Sequence, residues 1–347
     1  MDVSRIGIAE LAEMLEDRKN NDQNFALILG SRTGALFRSQ QFAEEMALYN
    51  TSAHSFVDSE ERDHFSRYYS LLKIEKKQRS SNDLKHSLNQ KIRNIPFSPA
   101  DECLAALVKQ GIFRTVLYCN PDDILYEAFT ALELKKREEY AEFDIDLLAM
   151  TEDFGRVVYA GNRRTCKVIN LYNDIDAFVY SLDKPQEQQE RGLYVRKLLD
   201  HMSIKEVLIM GIDLQWDDII LDALPSRVKT VWFVNEDEQV KETFRSKYKK
   251  IEQFMFITGK HAEYEKILKT LHFQINPGIL PRRYEMTSEL RHQLNLMQRD
   301  LTSIKDGLES LETKVTTIQS QIIRLSQKVQ EAQEAQEATR YDAGEKE

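Results

Sequence analysis

The chain has 347 residues, of which 41% are hydrophobic and 30% are charged, so it can form one large α/β domain with an appendage, or two domains. Its formal net charge of -9 disfavours generic binding to the phosphate backbone of nucleic acids. No apolar run approaches the about 18 residues of a membrane span, and the acidic, amphipathic N-terminus does not resemble a signal peptide, so we expect no membrane association.

Short apolar runs alternate with helical patterns along most of the chain. The predicted strands are FALILG (25–30), RTVLYC (114–119), GRVVYA (155–160), CKVINL (166–171), EVLIMG (206–211), KTVWFV (229–234) and QFMFIT (253–258). The main predicted helices cover residues 1–17, 37–50, 100–111, 122–136, 185–202, 216–224, 237–250 and 261–273, and a polar helical insert covers about 55–98. Strands separated by such helices predict a Rossmann-like α/β domain over 1–280, with a mostly parallel sheet and helices on both faces.

The three cysteines, Cys103, Cys119 and Cys166, indicate the redox setting. Their spacing does not match a metal site, and an odd number does not suit a disulfide framework. We therefore expect no bound metal, and buried free thiols in a reducing cytoplasm.

After a Pro- and Gly-containing linker the pattern changes to a strict heptad seam over residues 286–332. The apolar seam positions are Leu294, Met297, Leu301, Ile304, Leu308, Leu311, Val315, Ile318, Ile322, Leu325 and Val329. A seam of this length is typical of a coiled coil rather than a core helix, and it predicts self-association. Residues 333–347 lack the seam and are predicted to be a disordered tail.

The seam residues also bear on the number of chains in the oligomer. Leu301 at position a with Ile304 at position d favours a tetramer, whereas Ile322 at a with Leu325 at d favours a parallel dimer. We expect a tetramer, with a dimer as the alternative.

Three predicted strands end in unusual polar loops. The first loop runs from Gly30 to Gly34, the second is the CNPDD segment with Asn120, and the third follows Gly211 in VLIMGIDLQWDD. Ligands of parallel α/β sheets bind at these strand ends, and helix N-termini favour anions. The alternative is that the same residues only turn the chain and cap the following helices.

The order and spacing of these segments resemble the bacterial SIR2-like domain, which is related to sirtuins. The similarity is strongest at CLAALVKQGIFRTVLYCNPDDILYEAF, where Asn120, Asp122 and Asp123 match the Asn-x-Asp-Asp of the family. The resemblance implies NAD or an ADP-ribose-like nucleotide at the strand ends, and release of nicotinamide. Many bacterial members of the family are antiphage effectors that deplete NAD.

The resemblance also implies roles for individual residues. Asn120 would orient the attacking water or the nicotinamide, and Asp122 would contact the nicotinamide amide. The remaining implied cofactor contacts are Gly30, Ser31, Arg32 and Thr33 at the pyrophosphate, together with Asp123, Gly211 and Asp213.

Several positions depart from the family pattern. The second glycine of the family's Gly-Ala-Gly-x-Ser is Arg32, the catalytic His position is Tyr172, and a later Asp position is Trp216. A tyrosine titrates near about pH 10, so it is a poor general base at neutral pH.

These departures predict a degenerate SIR2-like protein that acts as an oligomeric nucleotide-binding, scaffold or sensor component in antiphage defence, together with partner defence proteins. One alternative is an active NAD glycohydrolase. Another is a purely structural coiled-coil assembly protein.

Overall fold

The computed structural model describes residues 7–38, 80–93, 95–162, 164–182, 184–213, 217–235 and 251–276, and the single residues Phe244 and Gln319. The chain divides into two units, Met1–Glu289 and Leu290–Glu347. The predicted coiled coil and tail lie outside the described residues, apart from Gln319. The predicted helix 237–250 also lies outside them, apart from Phe244. The same is true of most of the predicted helix 37–50 and most of the helical insert.

Seven strands form one sheet in which every neighbouring pair is parallel. They are β1 (Phe25–Leu29), β2 (Thr115–Tyr118), β3 (Tyr140–Asp144), β4 (Cys166–Asn170), β5 (Glu206–Met210), β6 (Thr230–Asn235) and β7 (Gln253–Thr258). The strand order is β3-β4-β2-β1-β5-β6-β7. The structure thus confirms the prediction of an α/β domain with a Rossmann-like parallel sheet.

The described helices surround this sheet. They are α1 (Ile8–Asn20), α2 (Ala35–Arg38), α3 (Ser81–Arg93), α4 (Pro99–Lys109), α5 (Ile124–Ala131), α6 (Ile145–Thr151), α7 (Gly155–Val158), α8 (Ile175–Ser181), α9 (Pro185–His201), α10 (Asp218–Asp222) and α11 (Tyr264–Ile275). Two 3₁₀ turns cover Ser31–Thr33 and Lys260–Ala262. No helix in the described part of the chain is long and apolar enough to cross a bilayer.

Alternate side chains of each central strand enter two separate cores. Leu27 and Leu29 of β1 pack in one core with residues of α1, α4, α5 and α11. Ala26 and Ile28 pack in the other core with residues of α6, α9 and α10. Because β1 is buried on both faces, its sequence is a continuous apolar run, as expected for a central parallel strand.

The register brings the carboxyl ends of the central strands to one level. Leu29 at the end of β1 pairs with Tyr118 of β2 and with Met210 of β5. The residues that follow these strands therefore start at the same edge of the sheet, and Gly30 and Gly211 are among them.

One predicted strand is wrong and one real strand is absent from the prediction. GRVVYA contains the short helix α7 instead of a strand, and its Val157 packs into the second core. One edge of the sheet is formed by β3, whose charged Glu142 and Asp144 hide its strand character. Such charges are common on edge strands, where they discourage pairing with other chains.

Candidate functional site

The strand order reverses around β1, since the chain continues from β1 to β2 on one side and returns to β5 on the other. In open parallel sheets, ligands bind in the crevice outside the strands at this switch point. Here the two loops that border the crevice touch each other. The Gly30 amide donates to the Met210 carbonyl at 2.8 Å, and the Arg32 amide donates to the Gly211 carbonyl at 2.9 Å.

Gly30 is required for this contact between backbones. A Cβ atom at position 30 would lie 2.5 Å from the Gly211 oxygen and 2.6 Å from the Ile212 Cα atom, well inside van der Waals contact. Because Gly30 has no side chain, the loop after β1 can pack against the loop after β5. The backbone of Gly211 and Ile212 occupies the space that a side chain at position 30 would need.

The carboxylate of Asp217 holds the Gly30 loop in place from across the chain. Its Oδ2 atom accepts hydrogen bonds from the Ser31 amide at 3.0 Å, the Ser31 hydroxyl at 2.8 Å and the Asp213 amide at 2.8 Å. Burial raises the pKa of Asp217 to about 7, with the Asp213 charge adding to the effect. The sequence suggested Asp217 only as a cap of its own helix, but its side chain caps the 3₁₀ turn that begins at Ser31.

The carboxylate of Asp122 also holds the segment after β1 in place, at the start of α2. Its Oδ2 atom accepts from the Ala35 amide at 2.8 Å, at the start of α2. Its Oδ1 atom accepts from the Tyr118 hydroxyl at 2.5 Å and from the Ile124 amide at 3.2 Å, at the start of α5. Burial raises the pKa of Asp122, although these hydrogen bonds oppose the shift. Asp122 and Asp217 thus satisfy the backbone amides at the starts of α2 and of the 3₁₀ turn.

Asn120 also forms hydrogen bonds to the Gly30 loop. Its Nδ2 atom donates to the Gly30 carbonyl and to the Thr33 hydroxyl, both at 3.1 Å, and Thr33 itself donates to the Gly30 carbonyl at 2.8 Å. A Cβ atom at Gly34 would lie 2.3 Å from the Asn120 Oδ1 atom. The structure therefore brings Asn120 and Asp122 to the Gly30 loop, where their polar atoms hold the loop.

Arg32 and Asp213 form an ion pair beside a cavity of about 220 Å³. The Arg32 Nη2 atom lies 2.9 Å from the Asp213 Oδ2 atom, and the side chain of Arg32 is 21% exposed while that of Asp213 is 2% exposed. The residues that line the cavity include Arg32, Phe37, Arg38, Gly211, Asn235 and Tyr264. Phe37 presents its ring to this space, with the Arg32 Cζ atom 5.9 Å from the ring centroid.

Arg38, the second arginine of the cavity, is fixed by a buried network that the sequence did not indicate. Its guanidinium binds both oxygens of Asp101, and the Tyr264 hydroxyl donates to the Asp101 Oδ1 atom at 2.9 Å. Burial opposes ionisation of Asp101, but the charge and hydrogen bonds of Arg38 outweigh it and lower the pKa of Asp101. The partners come from three distant segments, so no local motif marks them.

Two other predicted positions do not reach the Gly30 loop. Asp123 is exposed at the N-cap of α5, where its carbonyl accepts from the Glu127 amide at 2.9 Å. Tyr172 follows β4 and packs its ring edge-on against Phe178, with the centroids 5.2 Å apart. Burial raises the pKa of Tyr172, so even less of the phenolate that could act as a base is present at neutral pH. Trp216 lies outside the described residues.

A larger cavity of about 720 Å³ lies between α3, α6, α8 and α9. Its two basic side chains are paired: Arg191 binds Asp146 at 2.6 Å, and Lys85 lies 2.6 Å from Asp176. None of the predicted site residues lines it. Because this cavity lies away from the switch point and none of the predicted site residues lines it, we regard the smaller cavity as the better candidate.

No protein-family model matches the chain, and no curated protein matches it. Within the described ranges, no group of three or more potential metal ligands lies close enough to hold an ion. The candidate site therefore rests on its own geometry, which is a small cavity with a partly exposed arginine, Arg32, beside loops that internal carboxylates hold in place.

Proposed function

We propose that the chain is a degenerate SIR2-like protein that binds a single nucleotide without cleaving it and acts as a scaffold or sensor. The observation that carries the proposal is the cavity at the switch point. It combines an aromatic ring, Phe37, with the guanidinium of Arg32 and the amide of Asn235. An aromatic face suits a base, and a guanidinium suits a phosphate.

The size of the cavity supports one nucleotide rather than a dinucleotide. Its volume of about 220 Å³ is below the range of about 300–1,000 Å³ that is typical of drug-sized ligands. A base with its ribose fits this space better than the whole of NAD, and the phosphate would lie at Arg32.

The residues that follow the carboxyl ends of the central strands are poorly suited to the cleavage of NAD. Asn120 and Asp122 use their polar atoms to hold the Gly30 loop, and Tyr172 stays protonated at neutral pH. General-base assistance is typically worth about 10²–10⁴-fold in rate. We therefore assign the chain nucleotide binding without hydrolysis of NAD.

One observation favours the alternative of an active NAD glycohydrolase. The pKa of Asp217, raised to about 7 by burial, suits a general base. Against this role, Asp217 is 4% exposed, and three hydrogen bonds engage its Oδ2 atom.

The oligomeric and defence roles belong to the same proposal. Self-association rests on the heptad seam of residues 286–332. A cytoplasmic role in antiphage defence, with partner defence proteins, rests on the resemblance to the family, and the genes beside its own gene would test it directly.

The test is calorimetry of the full chain with AMP, ADP-ribose and NAD, combined with an assay for released nicotinamide. We expect AMP to bind, and Arg32→Ala to weaken AMP binding at least about tenfold. Arg227→Ala is the matched control, because Arg227 pairs with Asp200 at 2.7 Å on the surface and does not line the cavity.

Two results would contradict the proposal. If none of the three nucleotides binds, the Gly30 loop is only a turn. If the parent releases nicotinamide rapidly and Asn120→Ala or Asp217→Asn abolishes the release, the alternative of an active hydrolase is correct.

A further inference from the structure

The ion pair between Arg32 and Asp213 lies beside the cavity of about 220 Å³ at the switch point. Arg32 lines the cavity, while Asp213 is 2% exposed and does not line it. The backbone of Asp213 is held as well, since its amide donates to Asp217 at 2.8 Å. The negative charge that faces Arg32 is therefore fixed in position.

We infer that Asp213 is an internal competitor for the phosphate of the ligand, so that it sets the affinity of the site for phosphate-bearing nucleotides. The inference rests on the proposed nucleotide binding. Asp213 holds the guanidinium of Arg32 by a charge-assisted bond of 2.9 Å, the bond that a phosphate oxygen would otherwise form. A bound phosphate must share or replace this carboxylate.

The other two buried carboxylates beside the Gly30 loop, Asp217 and Asp122, bind backbone amides instead of a cation. Asp217 accepts the Ser31 amide at 3.0 Å, and Asp122 accepts the Ala35 amide at 2.8 Å. Both carboxylates are nearly fully buried, at 4% and 8% exposure, and are held by further hydrogen bonds. Of the three carboxylates, only Asp213 is paired with a side chain that lines the cavity, so it is the one that a ligand meets.

The substitution Asp213→Asn tests the effect of the negative charge on AMP binding while it keeps the shape of the side chain nearly unchanged. Asparagine has nearly the same size and keeps an oxygen that accepts a hydrogen bond from Arg32, but it removes the negative charge. A like charge within a few ångströms of a phosphate is strongly unfavourable at a partly buried site. We therefore expect Asp213→Asn to bind AMP at least about tenfold more tightly than the parent at low ionic strength.

Adenosine tests whether the phosphate is the group that competes. It has the base and ribose of AMP but no phosphate, so its affinity is expected to change less than about twofold in Asp213→Asn. Asp200→Asn is the matched control for charge. Asp200 pairs with Arg227 at 2.7 Å on the surface and does not line the cavity, so its loss is expected to leave AMP binding unchanged.

The experiment is calorimetry with AMP and with adenosine on the parent, Asp213→Asn and Asp200→Asn, each checked for a native unfolding transition. A gain for AMP alone in Asp213→Asn, relative to a parent that binds AMP, supports the inference. If the parent binds AMP and Asp213→Asn binds it no more tightly, or if AMP and adenosine gain equally, the inference is wrong while nucleotide binding stands. An equal gain in Asp200→Asn also overturns it. If no variant binds AMP, both the inference and the proposed function fail.

Discussion

The Asp217 carboxylate accepts hydrogen bonds from both the amide and the hydroxyl of Ser31, a residue 186 positions away. This contact ties the loop after β1 to the segment after β5. It also buries a carboxyl group whose pKa is raised to about 7. The contact therefore links the stability of the fold to pH.

The direction of this linkage follows from the two pKa values. The pKa of an aspartate is about 3.9 in an unfolded chain, whereas burial raises the pKa of Asp217 to about 7 in the native state. Between these values the native state holds a proton that the unfolded state has released. The contribution of Asp217 to stability is thus fully present below about pH 4 and is lost as the pH rises through about 7.

Asp217→Asn removes this titration. We expect the free energy of unfolding of the variant to depend less steeply on pH between about 5 and 7, by up to about 1.4 kcal/mol per pH unit. Urea unfolding at several pH values measures it. Equal slopes for the parent and Asp217→Asn would show that Asp217 does not titrate in this window.

Asp122→Ala tests whether this carboxylate is part of the framework. The change removes the acceptor for the Ala35 amide, the Tyr118 hydroxyl and the Ile124 amide, which are buried. Each buried donor left unpaired costs about 1–3 kcal/mol, so we expect a loss of at least about 2 kcal/mol in unfolding free energy. Denaturant unfolding with an unchanged m-value measures it. Unchanged stability would point instead to a role in ligand binding.

Gly34→Ala tests the close packing of the loop on the segment after β2. The added Cβ atom would lie 2.3 Å from the Asn120 Oδ1 atom and 2.7 Å from the Asp122 Oδ2 atom. We expect a loss of about 1–3 kcal/mol, because both side chains are held by other hydrogen bonds and cannot easily move. At the control site Gly155 the nearest atom is 3.4 Å away, so Gly155→Ala is expected to be close to neutral. Similar melting temperatures for both variants would contradict the packing argument.

Deletion of residues 286–347 tests the role of the heptad seam. The seam contains eleven large apolar residues from Leu294 to Val329, which a monomer would leave in water. We expect light scattering to show an oligomer for the full chain, and a monomer or a weak dimer for the shortened chain. An unchanged oligomeric mass would place the interface on the α/β unit.

The sequence alone determined the α/β class and six of the seven strands, because continuous apolar runs between amphipathic helices are a local property of the chain. It also placed Gly30, Asn120 and Gly211 at the ends of three predicted strands, where ligands of parallel α/β sheets bind. Only the tertiary structure decided what these residues do there. Ser31 finds its acceptor 186 residues away, and Ala35 finds Asp122 at a separation of 87 residues. Propensity and periodicity describe neighbours along the chain, so they do not specify which distant amide a carboxylate accepts. The same reason applies to α7, where Val157 has a strand propensity but packs into the core as part of a helix.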